Sequence, residues 1–301
     1  MVVQARAVAG PTPEVVCVLA LNNSLLLPGI TVVAGAAVMA DQCNIADNSP
    51  SPLALTEAVF ASITAQKVNV VGGYVDVLGS MTTTEGVHTG VTPTHDPFAG
   101  TTVPASFSSI PCNFYSFNSY GQITGPVTLS PGRYCGGINV KAGTVTLSAG
   151  TYYLDMGFLG TGLVVAAGGT VTDNGAGVTI VITSSGLLSN IVNVDVGGLL
   201  SGGVINLTAP TSGSFANLVV FVDPGALLSV PTFRGGTQNN FEGTIYAPGS
   251  KVTYLLGSGT KTGQCTRLIA DSIIFGLTGA SFSKCAVTLG PSAAAPASLL
   301  E

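Results

Sequence analysis

The stretch "EGVHTGVTPTHDP" brings Glu85, His88, His95 and Asp96 close together in a chain that has only two histidines. Imidazole and carboxylate are ligands for zinc and related ions, so His88, His95 and Asp96 are the metal candidates. The segment lacks the strand or helix spacing that would aim these groups at one point, and Asp96-Pro97 is an ordinary turn start. The expectation is therefore a loop, with no metal and no cofactor.

A second constellation is Asp155, Asp173 and Asp195, which recur at the spacing of a short structural repeat. Stacked on neighbouring turns of such a repeat, they would bind calcium or form an acid pair for glycoside chemistry. Isolated Asp residues also favour corners, where the carboxylate hydrogen-bonds its own backbone, and that reading is preferred. No G-x-S-x-G elbow supports a serine nucleophile. The glycine-rich "GLLSGGV" and "AAGGT" are not followed by Lys-Ser/Thr or a helix, so they are corners, not phosphate loops. No enzyme is expected. Aromatic and amide residues alternate in "NFYSFNSY", where Phe114, Tyr115, Phe117 and Tyr120 form a candidate ligand-contact loop. Packing of the same rings over the body of the fold is the plainer reading.

The elements that position these groups must be built with little charge. Charged residues are 8% of the 301, hydrophobic residues 46%, and there are 40 glycines and no Trp. Thr, Ser, Asn and backbone must therefore wet the surface, as suits an exported protein. A net charge of -5 with nine scattered basic residues leaves no patch for phosphates, so nucleic acid is excluded as a partner. Gly, Thr, Asn or Ser interrupts every apolar run before it reaches membrane-spanning length. The opening "MVVQARAVAGPTPE" has no signal-peptide pattern, so the chain reads as an excised piece. Six cysteines without a C-x-x-C pair exclude zinc-ribbon spacing. Sequence neighbourhood favours Cys17 with Cys43, Cys112 with Cys135, and Cys265 with Cys285. Six buried thiols are the alternative.

β-Branched runs such as "GTVTLSAG", "GVTIVITSSG" and "ANLVVFVDPG" are bounded by Gly, Asn, Asp or Pro. The segment Ser51 to Ala65 fits a strand pair or a helical stripe. In "LSPGRYCGGINVKAGTVTLSAGTYYLD" a turn and strand occur twice, Pro131-Gly132-Arg133-Tyr134 matching Ala149-Gly150-Thr151-Tyr152. Self-similarity with a period of about 20 residues marks a solenoid. The fold class expected is all-β, a right-handed parallel β-helix with a long loop excursion; a β-sandwich is the alternative. A single solenoid domain covers 13–290, with the excursion at 81–120, a flexible segment at 1–12 and a disordered tail at 291–301. The duplication stacks Tyr134 on Tyr152 and aligns Cys135 with Tyr153.

The motifs "VVCVLAL", "CNIADNSPSPLAL", "VVGGY", "HDPFAG", "PGRYCGGI", "LTAPTSG", "GTIYAPGS" and "LIADSIIF" occur in order between Cys17 and Cys285. Together they resemble the extracellular region of TadG-like proteins of the bacterial tight-adherence (Tad, Flp-type) pilus system. The resemblance implies an exported component of the cell envelope, held by a membrane anchor outside these residues. Its implied role is pilus assembly or surface attachment, with other Tad pilus components or a surface ligand such as a glycan as partners. It supplies no catalytic residue. A carbohydrate-active or glycan-binding β-helix is the alternative function. A third reading, ice binding by a flat threonine ladder, rests on Thr-x-Thr in "GTVTLS".

Overall fold

In the computed structural model the described residues are 14–115, 122–156, 162–185, 195–197, 203–225, 232–235, 239–256, 265–276 and 279–282. Short strands dominate because the β-branched runs are cut every few residues by glycine corners. Among the described residues every pairing between strands is parallel. The chain is thus a parallel β-helix. A β-sandwich, built from antiparallel sheets, is ruled out.

The first three coils each contribute one strand to each of three faces. Val16–Ala20, Ile30–Val32 and Ala37–Ala40 open the first, second and third faces in turn. Asn44–Asp47, Leu55–Glu57 and Ser62–Ala65 form the next coil, which pairs with the one before on all three faces. Ser51 to Ala65 is therefore a strand pair, not a helix. Val68–Val70, Tyr74–Asp76, Ser80–Thr83 and Val87–Thr89 carry the stack to one end.

The chain then crosses to the opposite end and builds back. Cys112–Tyr115 pairs with Gly132–Val140, which pairs with Gly150–Asp155, then Val178–Thr183, then Leu218–Val222. The last coil meets the first: Leu268, Ile269 and Ala270 pair with Val18, Leu19 and Ala20, and Ile273 pairs with Ile30. The first and last coils in chain order therefore join in mid-stack. Along the first face the rungs run without a break from Val87–Thr89 to Cys112–Tyr115, eleven in all. At about 4.8 Å per rung the ten intervals span about 48 Å.

One apolar cluster fills the helix interior, with Val18, Ile45, Leu268, Ile245, Val220 and Ile180 among its members on the first face. A second cluster lies outside that face. It contains Leu19, Ala46, Ile269, Tyr246, Phe221 and Val181, which are in register on successive rungs, and it is covered by Phe98 and Phe215. Phe98 belongs to the crossing segment, residues 90–111, which lies along the first face as a strap. The excursion expected at 81–120 is therefore narrower, because Ser80–Thr83, Val87–Thr89 and Cys112–Tyr115 are rungs of the solenoid.

Corners differ in what they tolerate. A Cβ on Gly72 would lie 2.0 Å from the Ser51 carbonyl oxygen, so only glycine lets these two coils approach. Two residues before the third-face strands, the backbone is left-handed on three successive coils, at Gly35 (φ 75°), Phe60 (φ 59°) and Leu78 (φ 57°). Phe60 and Leu78 are bulky residues in a conformation suited to glycine, and both are exposed. The proposed terminal segments, 1–12 and 291–301, lie outside the described residues.

Candidate functional site

The strap is the feature that organises the surface. At one end the Asn48 side chain donates to the Thr94 carbonyl at 2.8 Å and accepts from the Thr94 N–H at 2.7 Å. Midway the Asp96 carboxylate accepts the Phe98 N–H at 2.9 Å and the Tyr246 hydroxyl at 2.7 Å. Phe98 packs on the Tyr246 ring, 5.4 Å between centroids. Burial and the Asp96 hydrogen bond together hold the Tyr246 phenol above its ordinary pKa.

At the far end the strap is fixed by charge. Arg133 donates to Asp155 at 2.9 and 2.6 Å, to the carbonyls of Ser108 and Ile110 at 2.6 and 3.3 Å, and to the Ser185 hydroxyl at 2.8 Å. Asp155 is fully buried and also accepts from the backbone and hydroxyl of Ser185. Phe107 stacks on Tyr153 at 5.8 Å, with the Arg133 guanidinium 5.9 Å from the Phe107 centroid. The Cys112–Cys135 disulfide closes the end.

Between this strap and a corner loop lies a cleft of about 520 Å³. Its floor is the small-residue corner Gly175-Ala176-Gly177 with Ala149 and Gly150; its walls are Tyr153 and Thr151, Pro104 of the strap, and the loop from Thr208 to Phe215. Asp173 builds the floor, since its carboxylate accepts the N–H groups of Gly175, Gly177 and Thr208 at 3.1, 3.0 and 3.2 Å. Phe215 anchors the loop by packing on Phe221 at 5.7 Å. No charged side chain lines the cleft. Burial holds the Tyr153 phenol above its ordinary pKa, so the ring stays neutral.

The sequence candidates are not brought together. Asp155 is locked to Arg133, Asp173 shapes a corner, and Asp195 sits in the second-face strand Asp195–Gly197. Asp155 and Asp173 are thus held by separate partners and do not form an acid pair with each other. His88 lies on the rung Val87–Thr89, with Nε2 3.0 Å from the Glu85 carbonyl oxygen. His95 lines a separate cleft of about 260 Å³ with Glu14, Thr94 and Ile269. Glu85 and Glu14 both pair with Lys67, at 3.5 and 2.7 Å, and the Lys67 hydrogen bond holds Glu14 below the ordinary range. Among the described residues no three His, Cys, Asp or Glu side chains converge.

Phe114 and Tyr115 belong to the strand Cys112–Tyr115, while Phe117 and Tyr120 lie outside the described residues. The pairs Cys17–Cys43 and Cys112–Cys135 are disulfides, and Cys265 is disulfide-bonded too. Cys285 lies outside the described residues. Thr144 and Thr146 stack in register on Thr170 and Thr172, but the rows continue into Val204 and Asn206, so the threonine ladder is short. No family model, curated protein or solved structure matches the chain.

Proposed function

We propose that the chain is an extracellular, non-catalytic structural and adhesive component of a Tad-type pilus, contributing to pilus assembly or surface attachment. The observation that carries this reading is the strap. It is pinned at Asn48, Tyr246 and Arg133 along a stack about 48 Å long, so shear between rungs must break side-chain contacts as well as the ladder. Such a clamped, disulfide-stapled rod suits a load-bearing position at the cell surface. Disulfides also fit folding in an oxidising compartment, and among the described residues no helix is long and apolar enough to cross a membrane. The motif order quoted above supplies the link to the pilus.

Non-catalytic is the reading because the acids that would do glycoside chemistry are committed to structure: Asp155 is buried against a cation and Asp173 holds a turn. The second reading, a glycan-binding β-helix, is favoured by the uncharged cleft. Deletion in the native bacterium tests the first, with pilus number and surface attachment scored separately. Fewer pili indicates assembly, and normal pili with poor attachment indicates adhesion. Normal counts of both refute the proposal.

A further inference from the structure

We infer that the cleft between the strap and the Thr208 to Phe215 loop is a binding site for a neutral saccharide; this rests on the attachment reading and names its ligand class. Five serine and threonine side chains line the cleft, those of Thr151, Thr208, Thr211, Ser212 and Ser214, and no hydrogen bond from the described residues engages their hydroxyls. Each offers one donor and two acceptor positions, so the wall matches a ligand that is itself made of hydroxyls. The absence of Asp, Glu, Lys, Arg and His from the lining leaves nothing to neutralise a phosphate, a uronate or a charged peptide.

Tyr153 adds an apolar ring, stacked on Phe107 of the strap, whose ring the Arg133 guanidinium flanks in turn. The cleft's volume falls in the range of small-ligand sites, roughly 300–1,000 Å³, and admits a short oligosaccharide. The floor is fixed in advance, because Asp173 ties three backbone N–H groups there and Gly177 carries φ 89° with Pro210 directly above it. A preformed floor lowers the ordering cost of binding.

The test uses the full chain and ligand-observed NMR titration with cellobiose, lactose, mannobiose and chitobiose. Glucuronic acid, sialyllactose and a Pro/Gly-rich peptide serve as comparators. Ser212→Trp fills the cleft from an exposed position, Tyr153→Ala removes the ring, and Thr82→Trp at a distant exposed position is the control. At least one neutral disaccharide is expected to bind, with affinity weakened at least about tenfold, or ~1.4 kcal/mol, in Ser212→Trp and Tyr153→Ala but unchanged in Thr82→Trp. Circular dichroism confirms that each variant is folded. No neutral-sugar binding, binding untouched by Ser212→Trp, or preference for the charged sugars or the peptide overturns the inference. Loss of attachment on gene deletion together with absent sugar binding would refute this site and leave the attachment reading standing.

Discussion

Asp47 makes the stability of this chain fall as pH rises. Its side chain is 1% exposed, and Oδ2 has no hydrogen-bond partner. Glycine at position 29 leaves room for the carboxyl, since a Cβ there would lie 2.0 Å from Oδ1. Burial pushes the Asp47 carboxyl up from 3.8 to about 7, and the Ser49 N–H, donated to Oδ1 at 2.9 Å, offsets only part of that. The folded state therefore holds a proton that the unfolded chain has released. Stability is fully present below pH 3.8 and is lost between there and about pH 7. A gap of about 3 pH units at 1.36 kcal/mol each gives a loss of about 4 kcal/mol from this group. Glu57 and Asp271 are raised by burial too and add slopes of the same sign. Comparison with Asp47→Asn cancels them. Guanidinium unfolding of both proteins across this range should show the variant gaining on the parent by about 4 kcal/mol as pH rises. A difference that stays flat with pH would show that Asp47 titrates normally and would refute the reasoning.

Arg133→Met leaves Asp155 buried without its cation and frees the strap carbonyls of Ser108 and Ile110. The expected cost is about 3–5 kcal/mol, read by chemical unfolding, with faster limited proteolysis inside 90–111; a strap as resistant as the parent's contradicts it. Replacing Cys112 and Cys135 together by Ser opens a crosslink of sequence separation 23 and should cost about 3 kcal/mol. Unfolding of the variant without reductant checks this, and no change in midpoint counts against it. Phe60→Gly puts glycine where the preceding coil already has Gly35 and removes a left-handed side chain. It should stabilise by about 1 kcal/mol, the left-handed cost less part of glycine's unfolded freedom. A lower thermal midpoint would show that the exposed ring is packed in a way its 84% exposure hides.

The solenoid was legible because its signals are local: β-branched runs, glycine corners and a turn that recurs one coil later. The same locality explains the error in register. Tyr134 and Tyr152 do stack, 5.6 Å between centroids, and each hydroxyl donates to the carbonyl four residues before it, Ser130 and Ser148. Yet Gly132 pairs with Tyr152 and Cys135 with Asp155, so the coils are offset by two residues from the sequence alignment. A slip of two keeps every side chain on its own face, and the apolar pattern cannot distinguish the two alignments. What distinguishes them is Arg133, which the offset places beside Tyr153 and within reach of Asp155.

The strap is harder to read from sequence for a different reason, although a signal for it exists. Third-face strands alternate, as in Gly143–Leu147 and Gly169–Thr172, with threonine outward. The central first-face strands do not. Val16–Ala20, Val178–Thr183 and Leu218–Val222 are apolar nearly throughout, the pattern of strands buried on both sides. One side of such a strand is accounted for by the helix interior. The other side requires a cover, and the 81–120 region, irregular and carrying Phe98 and Phe107, was the available length of chain. Its ends then follow from distance: the crossing must span about 48 Å, which roughly 15 extended residues achieve, so a segment of that order suffices and the flanking strands stay in the stack. The cleft is a by-product of the same arrangement, because a strap laid across rungs that differ in corner length leaves a gap beside the long corner that carries the Thr208 to Phe215 loop. Sites on a clamped solenoid are therefore best sought where a long corner meets the strap.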